Sequence, residues 1–224
     1  MKCLSLLLLL LPASAESLRY AINWPSGLSL GEATLRSDRT GDGGDKGHQQ
    51  WSFELNLDAS VPGFAVRDDY HSRATSDLCT IQVDKDYAHG KRKGQERLTF
   101  DLENNTVTRE TLNGGGKSDL SVSPCARDAL TFLQFARREL AQGRLAPRQA
   151  IVFGALYQVR FEYTGTQSIT LDERRVEADR VVATVKGPST DLTFEIFFSR
   201  DAARTPVFAK LPLALGAFTV ELVR

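Results

Sequence analysis

The chain has 224 residues, with 28 Lys and Arg against 28 Asp and Glu, 42% hydrophobic and 25% charged residues, 17 Gly and 8 Pro. This ordinary globular composition excludes disordered, collagen-like and multi-span membrane chains. A formal net charge of zero gives no electrostatic ground for a nucleic acid partner or an anionic surface.

Met1-Lys2, an apolar run from Leu4 to Leu11, the helix breaker Pro12 and the small-residue site Ala13-Ser14-Ala15 read as a secretory signal peptide. The run is too short to span about 30 Å of hydrocarbon, and no later segment is a transmembrane candidate. Cleavage after Ala15 predicts one β-rich domain over residues 16–224, exported to the periplasm or the outside. Cleavage also removes Cys3 and leaves Cys79 and Cys125 for an oxidising compartment. A disulfide between them is the economical reading. Two buried thiols and a nucleophilic cysteine are the alternatives, the latter lacking a His that can be placed beside it.

Leu18, Tyr20, Ile22 and Trp24 alternate with polar or small residues, and Pro25-Ser26-Gly27 turns the chain into 28–35, so the start reads as a hairpin. After a Gly-rich loop at 39–47, Trp51, Phe53, Leu55, Leu57 and Ala59 give the clearest period of two, ended by Val61-Pro62-Gly63. Further strands fit 64–73, 79–87, 97–102 and 107–112, the last two joined by Asn104-Asn105. Beyond a Gly- and Ser-rich connection at 113–124, apolar residues recur every three or four positions, predicting a helix over 125–142 that ends at Gly143. Strand signals resume at 151–153, 156–163, 168–171, 180–186, 192–199, 207–211 and 218–223. With one helix there are no βαβ units, which disfavours a parallel sheet and a Rossmann-type site. A large antiparallel sheet curls or splits, so the expected fold is mainly β: a strongly curved antiparallel sheet, barrel or half-barrel, with one α-helix packed against it. A two-layer β-sandwich is the alternative.

Candidate chemistry is thin. Asn113 to Ser118 ends like a phosphate loop, but Thr111 stands where the first Gly is needed and no helix pattern follows. Asp38, Asp42 and Asp45 lack the order of a calcium loop. His48, His71 and His89 share no ligand spacing, Asp68 and Asp69 point to opposite sides of a strand, and no Gly-x-Ser-x-Gly elbow occurs. No catalytic residue, metal ligand or cofactor site is therefore expected. Asp128 in the first turns of the helix and Arg137 towards its end complement the helix dipole. Asp201 can cap a tight turn running through Arg204 to Pro206, which opens a strand.

The chain resembles an exported bacterial family, domain-of-unknown-function family 3108. The resemblance rests on Tyr20, Trp24, Gly27 and Gly31-Glu32-Ala33, on Phe100-Asp101, on Asp128-Ala129-Leu130-Thr131 with Arg137, on Asp201 to Pro206, and on Gly216 leading into 218–222. Ala129 stands where the pattern has Pro and Thr131 where it has Ser, and the two Cys are not a general feature. The resemblance implies an exported, single, β-rich domain without an assigned activity. The expected function is non-catalytic binding of an apolar, lipid-like ligand in the curved sheet, lined by Trp51, Phe53, Leu55, Leu130 and Leu133 with the helix as lid. The alternative is a cell-envelope interaction or scaffolding protein without a small-molecule ligand.

Overall fold

Alternating side chains drive most of this chain into strands, and the computed structural model describes residues 15–40, 49–61, 63–171, 173–189, 191–213 and 216–223. Residues 1–14 of the expected signal peptide, and Asp42, Asp45 and His48 of the Gly-rich loop, lie outside the described residues. Eight strands come first: β1 (Glu16–Asn23), β2 (Ser29–Thr40), β3 (Gln50–Val61), β4 (Phe64–Thr75), β5 (Thr80–His89), β6 (Arg92–Asp101), β7 (Thr106–Thr111) and β8 (Lys117–Ser121). A two-residue strand β9 (Arg127–Asp128) leads into helix α1 (Ala129–Ala141). Then follow β10 (Gln149–Val152), β11 (Leu156–Leu171), β12 (Arg174–Lys186), β13 (Asp191–Ser199), β14 (Pro206–Leu213) and β15 (Gly216–Val223).

All fifteen strands belong to one sheet, ordered β8-β7-β6-β5-β4-β3-β2-β1-β15-β14-β13-β12-β11-β10-β9. Two meanders thus meet along a central seam between the first and last strands, where Arg19 lies opposite Val223 and Asn23 opposite Thr219. Neighbours are antiparallel except β9 and β10, which run parallel. The sheet is a single open layer with β8 and β9 as its edges, neither a closed barrel nor a two-layer sandwich.

The helix explains how so wide a sheet buries its apolar face. Phe132, Ala136 and Leu140 pack on Val159, Phe161, Val181, Ala183, Ile196 and Phe198 of one meander. Leu130 and Leu133 pack on Tyr20, Ala33, Leu35, Leu55 and Leu57 of the other, and Leu130 and Phe135 on Phe53, Ala74 and Leu78. One helix can touch both meanders only if the sheet bends around it, as a right-handed twist accumulated over many strands makes it do. Direct packing of Val83, Leu98, Phe100 and Val107 against Ala126, Val152 and Leu156 draws the two meanders together.

Three elements differ from the sequence reading. The helix starts at Ala129, not Cys125: the Asp128 carboxylate accepts the Leu130 and Thr131 amides as N-cap, and Cys125 has a left-handed φ of 55°. Within the expected connection, 117–121 forms edge strand β8, and Lys117 pairs with Glu110 at 3.2 Å, so the phosphate-loop lysine is already engaged. The segments 156–163 and 168–171 are one strand, carried past Gly165 by a bulge.

Candidate functional site

Two polar anchors fix the helix, and they decide which part of the concave face is filled. At its start, Asp128 is 3% exposed and accepts the hydroxyls of Ser72 (2.6 Å), Thr80 (2.8 Å) and Thr131 (2.5 Å). Nearby, Cys79 and Cys125 form a disulfide with Cα atoms 4.6 Å apart, and Arg127 donates to the Cys125 sulfur at 3.4 Å. Further along, Arg137 donates two hydrogen bonds to the Glu16 carboxylate, at 2.7 and 2.8 Å, and one to the Ala203 carbonyl at 3.1 Å. Arg137 therefore acts through a bidentate ion pair rather than through the helix dipole alone. The Asp201 carboxylate accepts the Ala203 and Arg204 amides, and Tyr20 donates to the Pro206 carbonyl at 2.9 Å.

Burial by itself would raise the Glu16 carboxyl, but the hydrogen bonds and charge of Arg137, helped by Ser37, outweigh it and hold the group below its ordinary 4.5. A carboxyl depressed on folding stabilises the protein above its ordinary value and loses that contribution as pH falls through the folded one. Glu16→Gln should thus cost about 3 kcal/mol at pH 7, the low end for a broken buried pair, because Glu16 keeps 31% exposure. Urea titrations at pH 7 and pH 3 check it: the gap between wild type and variant should shrink at the lower pH.

Strand register sorts the remaining concave residues into a sealed end and an open end. Around the helix Phe53 and Phe198 are 2% and 0% exposed. Towards the turns at 24–28 and 89–92 the same face carries Ile22, Val66, Tyr87 and Phe218, all only half-buried. There Tyr70, Lys85 and Glu96 lie side by side on adjacent strands, next to a row of Asp68, Tyr87 and Gly94. Asp68 is buried and pairs with the His89 Nε2 at 2.7 Å, while buried Glu96 pairs with Arg109. The Lys85 Nζ sits 4.7 Å from the centre of the Tyr87 ring, 5.1 Å from Tyr70 and 5.4 Å from Phe153. Phe153 arrives from the turn between β10 and β11 and stacks on Tyr70 at 5.4 Å. Gly94 makes room for this arrangement, since a Cβ there would fall 2.5 Å from the Tyr87 hydroxyl. Burial, then the charges of Asp68 and Glu96 and a hydrogen bond with Asp68, push the Tyr70 phenol well above its ordinary range, so it stays neutral.

The cavity between this cluster and the helix start measures about 20 Å³, room for one water, and is lined by residues including Tyr70, Lys85, Asp128, Leu130 and Phe153. Trp51, Phe53, Leu55, Leu130 and Leu133, expected to line a ligand pocket, are brought together in the packed layer between sheet and helix. The apolar stripe of the helix takes the space that a ligand was expected to fill. Only Leu130 reaches the small cavity. Sequence reasoning set Asp68 aside because Asp69 points the other way. Its neighbours were identifiable only from the pairing of β4 with β5 and β6. Among the described residues no three His, Cys, Asp or Glu side chains converge as a metal site.

A family model described as a protein of unknown function, DUF3108, matches residues 19–223. The chain belongs to the DUF3108 family. That span covers both meanders and the helix, and the residues that carry the DUF3108 resemblance have framing tasks. Asp128 caps the helix, Arg137 clamps it and Trp24 meets Phe218 edge to face at 5.0 Å. A Cβ on Gly31 would lie 2.0 Å from the Asp58 carbonyl oxygen, so only glycine fits there. Among solved structures, the chain is similar to the crystal structure of a β-barrel-like protein of the domain of unknown function DUF1849 from Brucella abortus. The TM-score is 0.57 at 7% identity, covering 94% of this chain and 95% of that one, a likeness of fold alone. No curated protein matches the chain.

Proposed function

We propose that this DUF3108 protein is an exported, non-catalytic binding protein for a lipid-like molecule, held at the open end of the curved sheet. The carrying observation is the uneven filling of the concave face. A helix of 13 residues is about 20 Å long. Strands of 12 to 16 residues run about 40–50 Å. The helix therefore covers one end and leaves Val66, Tyr87 and Phe218 half-buried at the other. Phe64 and Phe153 are 47% and 42% exposed near the same end, and large aromatic side chains left partly in water favour an apolar partner. The signal-like start of the sequence and the Cys79–Cys125 disulfide support export.

Displacement of a fluorescent fatty acid from the exported protein, with native mass spectrometry of gently purified material, tests this reading. Saturable binding is expected with a micromolar Kd, about −8 kcal/mol. No co-purified mass and no saturable displacement would overturn it. The helix-filled end of the core would then favour an envelope interaction or scaffolding protein without a small-molecule ligand.

A further inference from the structure

We infer that Lys85 is the headgroup contact of the open end, and that the molecule it takes is a long-chain carboxylate. The inference rests on the lipid-binding reading and adds the chemistry of the polar end. The Lys85 ammonium makes no ion pair or hydrogen bond with the described residues and, unlike Arg92 further along the same face, it is half-buried. The two buried acids nearest in register are committed elsewhere, Asp68 to His89 and Glu96 to Arg109. What holds Lys85 is instead a cradle of three rings, Tyr70, Tyr87 and Phe153, within 5.4 Å of the nitrogen. Aromatic faces stabilise a cation but leave its N–H donors without strong acceptors.

That arrangement selects the sign and size of the ligand charge. A cation already occupies the cradle, so a second cation is repelled. An anion gains a charge-assisted hydrogen bond to a donor that the fold has pre-positioned. One ammonium flanked by two buried carboxylates suits a single negative charge. A phosphate dianion is repelled by Asp68 and Glu96 about twice as strongly as a single negative charge. Lys85 also stands where the chemistry of the face changes. Beyond it towards the turns lie the Tyr87 ring and half-buried Val66 beside the Asp68–His89 pair, and Phe153 overhangs from the other meander. A carboxylate on Lys85 therefore leaves its chain over the Tyr87 and Phe153 rings and Val66.

Competition against a dansyl-labelled undecanoic acid on the full exported protein, at pH 7.5, separates this inference from the reading beneath it. Dodecanoate should compete at least about tenfold better than dodecan-1-ol, and better than dodecyl phosphate, since one charge-assisted contact is worth about that ratio. Lys85→Met keeps the apolar stem against the rings and should weaken dodecanoate about tenfold while leaving dodecan-1-ol unchanged, whereas Lys85→Arg should retain the preference. Equal competition by dodecanoate and dodecan-1-ol in the wild-type protein, a comparison that needs no variant, would overturn the role of Lys85 and leave the lipid reading intact. Tighter binding of dodecyl phosphate would overturn the carboxylate assignment. Failure of the labelled probe to bind at all would overturn the lipid reading itself.

Discussion

Replacing Asp128 by alanine is expected to lower the unfolding free energy by about 4 kcal/mol, the largest effect of any single polar substitution in this protein. The carboxylate accepts three hydroxyl hydrogen bonds and two helix amides while almost wholly out of water. The cap alone is worth about 1 kcal/mol, and each hydrogen bond to a charged group about 1.5–3 kcal/mol. Removing the acceptor also leaves the Ser72, Thr80 and Thr131 hydroxyls to find new partners in a sealed interior. The consequence reaches beyond the helix, because Ser72 and Thr80 belong to β4 and β5 whereas the backbone of Asp128 pairs with Val152 of β10. Asp128→Asn keeps one acceptor oxygen and should lose about half as much. Urea denaturation followed by fluorescence decides it, and a loss under about 1 kcal/mol for the alanine variant would show that the network is not holding the two meanders.

Opening the disulfide should cost a similar amount by a different route. Cys79 and Cys125 are 46 residues apart, and closing a loop of that length removes about 4 kcal/mol of conformational freedom from the unfolded chain in the chain-entropy account. For a domain of about 200 residues this corresponds to a fall in Tm of about 10 °C in the Cys79→Ser, Cys125→Ser protein. Hydrogen bonds beside the bridge, from the Thr80 amide to the Ala126 carbonyl and from the Cys79 amide to the Thr75 hydroxyl, do not depend on it. The reduced protein should therefore still fold at 25 °C, and calorimetry with and without reductant gives the difference directly. An unchanged Tm would mean that the reduced chain is already restrained there.

The strands were legible wherever one face meets the core and the other meets water, as in Trp51 to Ala59. The helix was legible from its spacing of three and four. Its first turn was not, because Cys125 to Asp128 continues the apolar spacing while its backbone is claimed by β10 and the disulfide, partners that lie far away in sequence. Pairing of Cys79 with Cys125 could be argued from the count of thiols, whereas the contacts of Asp128 and Arg137 could not. Those depend on Ser72, Thr80 and Glu16 arriving by register. The surroundings of Lys85 could not be read from the sequence, because one of its rings comes from its own strand, one from the strand before it and the third from the turn after β10. Trp51, Phe53, Leu55, Leu130 and Leu133 lie in the layer between sheet and helix. The volume that the helix takes up beside them could not be read from the strand pattern alone.

The seam between β1 and β15 sets the order in which this protein can assemble. Within each meander, every strand pairs with the one just before or after it in the chain, so each wing can zip by local steps with little loop entropy. The seam joins residues about as distant in sequence as the chain allows, Arg19 with Val223, and can form only after β15 has been synthesised. Until then β1 keeps an unpaired edge and the helix has only part of its cradle, a state open to unfolding and to the edge-to-edge association that exposed strands promote. Completion of the fold is thereby delayed to the last stage of chain synthesis, so the two wings wait on the final eight-residue strand before either is closed against the other.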